Sequence, residues 1–380
     1  MTSTAHDAPG RAAGGATDVR VERVRTSAYE IPTATDEESD GTLVWRSTGV
    51  VVVEVEGGGA TGLGYTYCDA AAAAIVDGTL ARLVEGADAM APGEAWARMQ
   101  VQARQLGQEG LAAMAISAVD VALWDLKARL LGVALCDALP RFRDAVPAYG
   151  SGGFTSYSER ELREQLGGWA AQGFRSVKMK VGRDPHADPA RVTAARAAVG
   201  DDVELMVDAN GAYTPARALA WAQRYAGEWG VTYFEEPVSS QDVRGMRWVR
   251  ERAPAGMAIA AGEYGWGLPS LAQLVDAEAV DILQADVSRC GGITNLLRVD
   301  GLCKARSRPF SAHCVPAVMA HAGCALETLV HVEYFFDHVR AEGLLFDGAV
   351  QARDGLLRPD RSRPGLGLEL KRADAQRYAA

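Results

Sequence analysis

VELMVDANGAYTPARALAWAQRYAGEWGVTYFEEP, residues 203–237, is the stretch of sequence from which the fold of this chain can be predicted. It begins with a short apolar run, continues with a helical stretch rich in alanine and arginine, and ends with a second short apolar run. Short apolar runs on either side of a helix are typical of parallel strands that are buried on both faces. The stretch therefore predicts one βαβ unit.

The same unit recurs on both sides of this stretch. Further strands of this kind are predicted at AVPAYG (145–150), SVKMKVG (176–182), MAIAAGE (257–263), VDILQADV (280–287) and RPFSAHC (308–314). The units follow one another every 25 to 30 residues or so, roughly the spacing of a βα repeat. Because there are too many units for a pair of βαβ motifs, an α/β fold with a closed (β/α)8 (TIM-type) barrel is favoured over an open doubly wound sheet.

The chain is predicted to divide into four segments. Residues 1–18 are small and polar and lack an apolar secretory segment, so a disordered leader is expected. Residues 19–145 combine alternating strands with helices, which predicts an α+β capping domain. A barrel domain of (β/α)7β type is predicted over 146–345, and the Pro- and Gly-punctuated residues 346–380 are expected to return to the capping domain.

Composition and charge exclude several classes of protein. The net charge is −10 and the pI is about 5.2, so no basic surface is expected for nucleic acid or for an anionic membrane. No apolar run approaches the roughly 20 residues that span a bilayer. The six cysteines include no CxxC pair, which predicts neither a zinc site nor a disulfide framework, and free thiols fit a cytoplasmic protein. Cys290 and Cys314 fall near predicted strand ends, but no general base is evident for either thiol.

Charged side chains recur where the predicted strands end. They are Lys178, Lys180, Asp208, Glu235, Glu263, Asp286 and His313. In a barrel, the carboxyl ends of all the strands share one rim, and barrel active sites are built there. These residues are therefore predicted to converge on one active site.

Lys178 and Lys180 are two residues apart on one predicted strand, so both are expected to face the barrel interior. Two ammonium groups in a partly desolvated space repel each other, which is expected to lower the pKa of each and to leave one able to act as a base near pH 7. The alternative is a pair of solvated lysines on a strand edge, because the KxK spacing alone is a weak signal.

Asp208, Glu235 and Glu263 follow three consecutive strands at equivalent positions. Three converging carboxylates repel one another unless a cation lies between them. Oxygen donors without a nearby Cys or His suit Mg²⁺, with Mn²⁺ possible, rather than Zn²⁺. The alternative is that each carboxylate caps a helix or pairs with a surface arginine.

His313 and Asp286 fall at the ends of neighbouring predicted strands. A carboxylate bonded to one imidazole nitrogen sets the tautomer and raises the pKa of the ring, which leaves the other nitrogen to exchange protons with a substrate. A single histidine at a strand end is more often structural. Its predicted position across the barrel from the lysines favours the catalytic interpretation.

The motifs VKMK, VDAN, FEEP, AGE, QADVSRCGG and SAHC occur in this order. Together with AISAVDVALWDLKARLLG in the capping domain, they resemble the enolase superfamily, and specifically the mandelate racemase-like subgroup of its mandelate racemase/muconate lactonizing enzyme family. The resemblance covers nearly the whole chain. It implies that the segment from Thr33 to Gly41 and the residues around Trp45 and Tyr65 belong to a capping domain that closes over the barrel and reads the distal part of the substrate.

The resemblance also implies a role for each residue at the rim. Lys180 is similar to the base that removes the α-proton, with Lys178 beside it. Asp208, Glu235 and Glu263 are similar to the three ligands of Mg²⁺.

The resemblance also implies roles for the remaining polar residues. His313 and Asp286 resemble a second acid/base dyad, and Asn210 resembles a residue near the metal and the substrate. Glu333, in HVEYFF, matches a carboxyl group that hydrogen-bonds the substrate carboxylate. Glu236 is expected to face away from the site, because side chains alternate along a strand.

Arg289 stands three residues after Asp286, where many relatives have a lysine. That lysine is the second base in the muconate-cycloisomerase-like branch. Its absence, together with His313, favours the racemase-like branch. Cycloisomerase, o-succinylbenzoate synthase and dipeptide epimerase activities are then not expected.

The function implied is Mg²⁺-dependent removal of the proton next to the carboxylate of a small-molecule acid. Dehydration of an acid sugar to a 2-keto-3-deoxy acid is favoured over racemisation or epimerisation of a 2-hydroxy acid. A barrel that binds Mg²⁺ or an acid without catalysis is the alternative from another class. Because relatives commonly assemble into dimers or octamers, a homo-oligomer is expected.

Overall fold

A computed structural model describes residues 19–380. The leader predicted for residues 1–18 lies outside the described residues. The N-terminal part contains a three-stranded antiparallel sheet of β1 (Arg23–Pro32), β4 (Ser47–Gly57) and β5 (Ala60–Tyr67), in the order β1-β4-β5. A small hairpin of β2 (Glu38–Ser39) and β3 (Val44–Trp45) projects from it.

Helices cover this sheet. They are α1 (Ala71–Ile75), α2 (Ala81–Val84), α3 (Pro92–Ala103), α4 (Leu111–Leu131) and α5 (Leu135–Ala138). The long helix α4 lies directly on β5, because two glycines remove the side chains that would separate them. A Cβ at Gly62 would lie 2.2 Å from the carbonyl oxygen of Ala122, and one at Gly64 would lie 2.1 Å from that of Ala118.

Eight parallel strands form the second part of the fold. They are β6 (Val146–Gly152), β7 (Ser176–Lys180), β8 (Glu204–Asp208), β9 (Tyr233–Glu235), β10 (Ala258–Ala261), β11 (Ile282–Ala285), β12 (Phe310–Ala312) and β13 (Leu329–Phe335). Each strand pairs with the next, and β13 pairs with β6, so the sheet closes into a barrel. The fold is a (β/α)8 barrel with an N-terminal capping domain, as the sequence predicts.

A helix follows every strand of the barrel. They are α6 (Glu159–Ala171), α7 (Asp188–Val199), α8 (Pro215–Trp229), α9 (Val243–Arg250), α10 (Leu268–Asp276), α11 (Gly292–Ala305), α12 (Pro316–Ala322) and α13 (Phe336–Leu345). The last of these differs from the predicted (β/α)7β arrangement, since α13 completes an eighth βα unit. Within the described residues, no helix combines the length and the apolar character needed to cross a membrane.

The C-terminal residues pack against both parts of the fold. Strand β15 (Leu356–Leu357) pairs with β6, and β14 (Phe346–Asp347) pairs with β16 (Glu369–Leu370). The short helix α14 (Arg372–Ala375) then brings Arg372 to Glu54 in the capping sheet, with Nη2 and Oε1 2.5 Å apart. The return of the C-terminal segment to the capping domain agrees with the predicted fold.

Asp125 of α4 joins these parts through a fully buried carboxylate. It accepts hydrogen bonds from the backbone N–H of Leu63 in β5 and of Leu366 in the C-terminal segment, at 2.7 and 2.5 Å. It also accepts from Nε of Arg129 at 2.8 Å. Asp125→Ala leaves these three donors without their acceptor, and we expect the free energy of unfolding to fall by about 3–5 kcal/mol.

Urea denaturation followed by circular dichroism measures this loss. The matched control is Asp374→Ala, since Asp374 of α14 is 57% exposed and pairs with the exposed Arg377. A surface pair of this kind contributes at most about 1 kcal/mol. Equal stability of the two variants would show that Asp125 does not hold the three parts together.

Candidate active site at the rim of the barrel

The two lysines of β7 both lie inside the barrel, as alternation predicts. Lys178 is 0% exposed and Lys180 is 5% exposed. Nζ of Lys180 lies 2.5 Å from Oδ2 of Asp208, and Nζ of Lys178 lies 2.6 Å from Oε2 of Glu235. This contact follows from the strand register, in which Lys180 is paired with Asp208 and Asp208 with Glu235.

Asp208, Glu235 and Glu263 converge on one another. Each contributes a carboxylate oxygen, these oxygens lie within 4.8 Å of one another, and all three residues are buried. Oε1 of Glu235 has no hydrogen-bond partner among the described residues. Burial, and then the neighbouring carboxylate of Asp208, raise the pKa of Glu235 to about 8. A buried carboxylate cluster with an unpartnered oxygen fits a divalent cation with oxygen ligands.

The lysines differ from the sequence-based expectation in their protonation. Burial lowers the pKa of Lys178, but the carboxylates of Glu235 and Glu333 outweigh it and hold the pKa well above its usual value. The pKa of Lys180 is raised in the same way, chiefly by Asp208. The prediction of lowered lysine pKa values is therefore wrong for the site without a cation, because the surrounding carboxylates outweigh the repulsion between the two ammonium groups.

His313 and Asp286 form the expected pair. Nδ1 of His313 lies 2.7 Å from Oδ2 of Asp286, and the other oxygen of Asp286 accepts from both the backbone N–H and the hydroxyl of Ser288 at 2.7 Å. Nε2 of His313 points into the site and lies 3.1 Å from Oε2 of Glu263. The imidazole is therefore oriented by a carboxylate on one side and faces the acidic cluster on the other.

Glu333 lies between the lysines of β7 and the imidazole of His313. Its Oε1 accepts from the hydroxyl of Ser151 at 2.6 Å and lies 2.9 Å from Nζ of Lys178. Its Oε2 lies 3.4 Å from Nε2 of His313. Ser151 was missed by sequence reasoning, although it lies at the carboxyl end of β6, where the same search of strand ends could have found it.

Glu236 corrects the argument from alternation. It is 2% exposed, and after burial the main cause that raises its pKa is the charge of Glu263, followed by those of Asp208 and Glu235. The residue therefore adjoins the acidic cluster rather than facing away from it. Alternation fails because β9 ends at Glu235, and Glu236 has a φ of 37°, outside the extended region.

Asn210 also has a positive φ, 45°. Its backbone N–H donates to Oδ1 of Asp208 at 2.9 Å, and its side-chain Oδ1 is buried without a hydrogen-bond partner among the described residues. Its carbonyl oxygen accepts from the hydroxyl of Thr42 in the capping domain at 3.3 Å. Asn210 therefore lies between the acidic cluster and the cap.

Arg289 occupies the space between two of the carboxylates. Its Nε lies 3.4 Å from Oδ2 of Asp286, and its Nη1 lies 3.8 Å from Oε1 of Glu263. The guanidinium is 5.1 Å from the centre of the Tyr264 ring. Arg289 therefore places a permanent positive charge beside the imidazole pair.

The capping segment lies on the rim as expected. A Cβ at Gly41 would lie 2.2 Å from the carbonyl oxygen of Ala209, just beyond β8. Trp45 packs edge to face against Phe154, and its Nε1 donates to Asp337 at 2.9 Å.

Tyr65 was expected to lie in the part of the capping domain that contacts the substrate, but the structure buries it. It is 0% exposed, and its hydroxyl donates to Oε1 of Glu342 in α13 at 2.6 Å. Its side chain is therefore occupied in packing between the capping sheet and the barrel, since a strand buried between two layers has no face open to a ligand.

Comparisons with known families cover both parts of the chain. Residues 37–139 match the mandelate racemase / muconate lactonizing enzyme N-terminal domain, and residues 161–375 match the enolase C-terminal domain-like family. A solved mandelate racemase/muconate lactonizing enzyme-like protein from Rubrobacter xylanophilus is 62% identical, with a TM-score of 0.93 over 95% of this chain and 100% of that one.

Two relatives with named activities also match most of the chain. The 3,6-anhydro-alpha-L-galactonate cycloisomerase of Streptomyces coelicolor is 35% identical over 366 residues, 93% of this chain and 98% of that protein. The L-talarate/galactarate dehydratase of Salmonella typhimurium is 29% identical over 367 residues, 92% of this chain and 89% of that protein. A mutant of this dehydratase, solved with Mg and L-glucarate, has a TM-score of 0.87 at 27% identity over 100% of this chain and 96% of that one.

These relatives bear on the expected branch of the family. One of them is a cycloisomerase, so Arg289 alone is not sufficient reason to exclude cycloisomerase activity. Racemases, dehydratases and cycloisomerases of this family share the general kind of reaction. Since both family models match and the barrel with its capping domain is conserved in the solved relatives, the chain belongs to the mandelate racemase/muconate lactonizing enzyme family of the enolase superfamily.

Proposed function

We propose that this protein is a Mg²⁺-dependent enzyme that removes the proton α to the carboxylate of an acid sugar and expels the oxygen at the β-carbon, giving a 2-keto-3-deoxy acid. One observation carries the proposal. An amine and an imidazole flank the same carboxylate cluster, with Nζ of Lys180 2.5 Å from Asp208 and Nε2 of His313 3.1 Å from Glu263. A binding protein has no need of two proton-transfer groups around one cation site.

Asp208, Glu235 and Glu263 are the proposed ligands of Mg²⁺, for which Mn²⁺ can substitute. Their donor set is entirely oxygen, and its excess negative charge is unfavourable without a cation. Mg²⁺ held by these three carboxylates would supply electrostatic stabilisation for the negative charge that develops on the substrate carboxylate when the α-proton leaves.

Lys180 is the proposed base. The amine of Lys180 can accept the α-proton only when it is neutral. The negative charges of the carboxylates keep it protonated, because they raise its pKa. A cation bound to the carboxylates offsets these charges and so favours the neutral amine. Lys178 keeps its charge between Glu235 and Glu333 and is proposed to stabilise the substrate carboxylate. Sites of the enolase superfamily use a lysine or histidine base beside Mg²⁺, and the proposed roles follow this arrangement.

His313 is the proposed acid, and Asp286 is a positioning residue that orients it. As imidazolium it protonates the β-oxygen, so that the carbon–oxygen bond breaks and the enol formed tautomerises to the 2-keto acid. If that oxygen is a hydroxyl, it leaves as water. If it belongs to a ring, the ring opens without loss of water, and the same residues perform a cycloisomerisation, which the similarity to the Streptomyces coelicolor enzyme favours as the second candidate.

Glu333 and Asn210 are the proposed substrate-binding residues. Glu333 lies within 3.4 Å of both Lys178 and His313, so a group bound there is shared by the two sides of the site. The buried Oδ1 of Asn210 has no partner among the described residues and is an acceptor for a substrate hydroxyl.

The proposed function is tested by incubating the protein with mono- and diacid sugars, and with their anhydro forms, in D2O containing Mg²⁺. We expect formation of a 2-keto acid, measured as its semicarbazone, from at least one acid. EDTA is expected to abolish the reaction and added Mg²⁺ to restore it, because the carboxylates alone repel an anionic substrate.

The products separate the alternatives. Inversion of the α-carbon without keto acid would identify a racemase or epimerase. Deuterium exchange at the α-carbon that continues in EDTA would show that removal of the α-proton does not require the metal. Absence of both exchange and product with every acid, in protein that binds Mg²⁺, would favour a barrel that binds without catalysis.

A further inference from the structure

The thiol of Cys314 lies inside the site, and the proposed reaction makes no use of it. Sγ of Cys314 is 3.3 Å from Nε2 of His313 and 3.3 Å from Oε2 of Glu333. The latter two atoms are 3.4 Å apart. The three donors, one sulfur, one nitrogen and one oxygen, thus form a nearly equilateral triangle in a buried position.

We propose that His313, Cys314 and Glu333 form a second metal site, selective for a thiophilic divalent cation such as Zn²⁺. Zinc binds sulfur at about 2.3 Å and nitrogen or oxygen at about 2.0–2.2 Å. Tetrahedral angles between such bonds place sulfur about 3.5–3.6 Å from nitrogen or oxygen and place nitrogen about 3.3–3.5 Å from oxygen. The observed separations, 3.3 Å for both sulfur contacts and 3.4 Å between nitrogen and oxygen, come within about 0.3 Å of this geometry.

The backbone places consecutive residues on the same side. Strand β12 ends at Ala312, and alternation would point His313 and Cys314 in opposite directions. Cys314 instead has a φ of 50° and Val315 a φ of 52°. Non-glycine residues adopt this region at a cost and keep it only where the surroundings hold them there. The turn brings the thiol toward the imidazole.

Two of the three proposed ligands are held in place by hydrogen bonds to residues that do not themselves bind the metal. Nδ1 of His313 is bonded to Asp286 at 2.7 Å, and Oε1 of Glu333 accepts from Ser151 at 2.6 Å. Histidines that bind metals usually bond a carboxylate or carbonyl through their other nitrogen, and this fixes the ring and the tautomer. His313 is 6% exposed, which is more than either of the other two ligands, so the mouth of the barrel is the route of entry.

The chemistry of the donors separates this site from the proposed Mg²⁺ site. A thiolate is a poor ligand for Mg²⁺ and a good one for Zn²⁺ or Co²⁺. Binding releases two protons to solvent, one from the thiol and one from Nε2 of the imidazolium, so that Cys314 coordinates as the thiolate and His313 as the neutral imidazole. Three protein ligands leave one tetrahedral position for water.

Occupation of this site inhibits the enzyme. This consequence rests on the proposed function, because it requires Nε2 of His313 to be the atom that transfers the proton. A metal bound to Nε2 removes that nitrogen from the reaction, even when Mg²⁺ saturates the carboxylates.

Cobalt substitution tests the site directly. Co²⁺ bound to a thiolate has a charge-transfer absorption in the near ultraviolet that carboxylate and imidazole ligands do not produce. We expect this band when Co²⁺ is added to the full-length protein in excess Mg²⁺. Cys314→Ser should abolish it, whereas Cys303→Ser should keep it, since Cys303 is a buried cysteine of α11 outside the rim.

The circular dichroism of each variant verifies its fold, and Cys314→Ala serves if Cys314→Ser does not fold. Absence of the band in the wild-type protein, or an unchanged band in the folded Cys314 variants, would overturn the metal site. In a separate assay, Zn²⁺ should inhibit formation of the 2-keto acid, and Cys314→Ser should raise the half-inhibitory concentration by about tenfold or more. A thiolate band without inhibition would leave the metal site in place and count against Nε2 as the proton donor.

Discussion

Lys180→Ala is expected to lower kcat by a factor of about 10² to 10⁴, which is the usual contribution of a positioned general base. The variant removes the only proposed base on its side of the acidic cluster and the positive charge 2.5 Å from Asp208. Both exchange of the α-proton with D2O and product formation should fall together, because neither can occur before the proton is removed. The measurement is the initial rate of both processes with an acid that the wild-type protein converts.

Lys180→Arg separates the two roles of the amine. Arginine keeps the positive charge beside Asp208 but remains protonated at neutral pH, so it cannot act as the base. We expect this variant to be about as slow as Lys180→Ala. Recovery of most of the activity in Lys180→Arg would mean that the charge matters and that the base lies elsewhere. Exchange near the wild-type rate in the folded Lys180→Ala variant would end the assignment.

His313→Asn is expected to lower the rate of product formation by a similar factor of about 10² to 10⁴. The rate of α-proton exchange should stay close to that of the wild type. Asparagine can still donate a hydrogen bond to Asp286, which holds Nδ1 of the wild-type ring at 2.7 Å, but it cannot protonate a leaving oxygen. Lys180 remains able to remove the proton and return a deuteron from solvent. The substrate should therefore become labelled without being consumed, which NMR of the recovered acid measures.

His186→Asn is the matched control, because His186 is an exposed histidine of the loop after β7. It should leave both rates unchanged. If His313→Asn also loses exchange while its circular dichroism is that of the wild type, His313 takes part in proton removal and not in the later step. Wild-type product formation in this variant would remove His313 from the mechanism.

The order of the strands and helices along the chain could be predicted from local sequence patterns. Buried parallel strands have apolar runs that alternate with helices, and the repetition of these units favours a closed barrel, which the structure shows to have eight strands. The positions of Lys178, Lys180, Asp208 and Glu235 at strand ends could be predicted in the same way. The α13 helix was not predicted as an eighth unit, since the apolar HVEYFF motif runs without a break from β13 into it.

Side-chain direction beyond the strand ends could not be predicted. Glu236 and Cys314 both follow a residue that faces the interior, and alternation would point both away from it. Each has a positive φ, so neither obeys the strand period. A positive φ at a non-glycine residue is maintained by packing around it, and a local pattern contains no information on that packing.

The protonation of the lysines likewise depends on distant residues. Lys178 and Lys180 repel each other, and this much is visible in the KxK spacing. The carboxylates of Asp208 and Glu333 lie on two other strands, and their charges help to raise the pKa of both lysines. A Coulomb interaction depends on separation in space, which a single strand does not reveal.

The family, the barrel and most of the residues at its rim could be recognised without coordinates, because they follow from short-range periodicity and from the order of the motifs. Which donor atoms come into contact depends on how the chain folds in three dimensions. The tertiary structure places the hydroxyl of Ser151 on Glu333 and the thiol of Cys314 within 3.3 Å of both His313 and Glu333. Their meeting depends on the closure of β13 onto β6 and on the turn after β12, which bring together atoms that lie far apart along the chain.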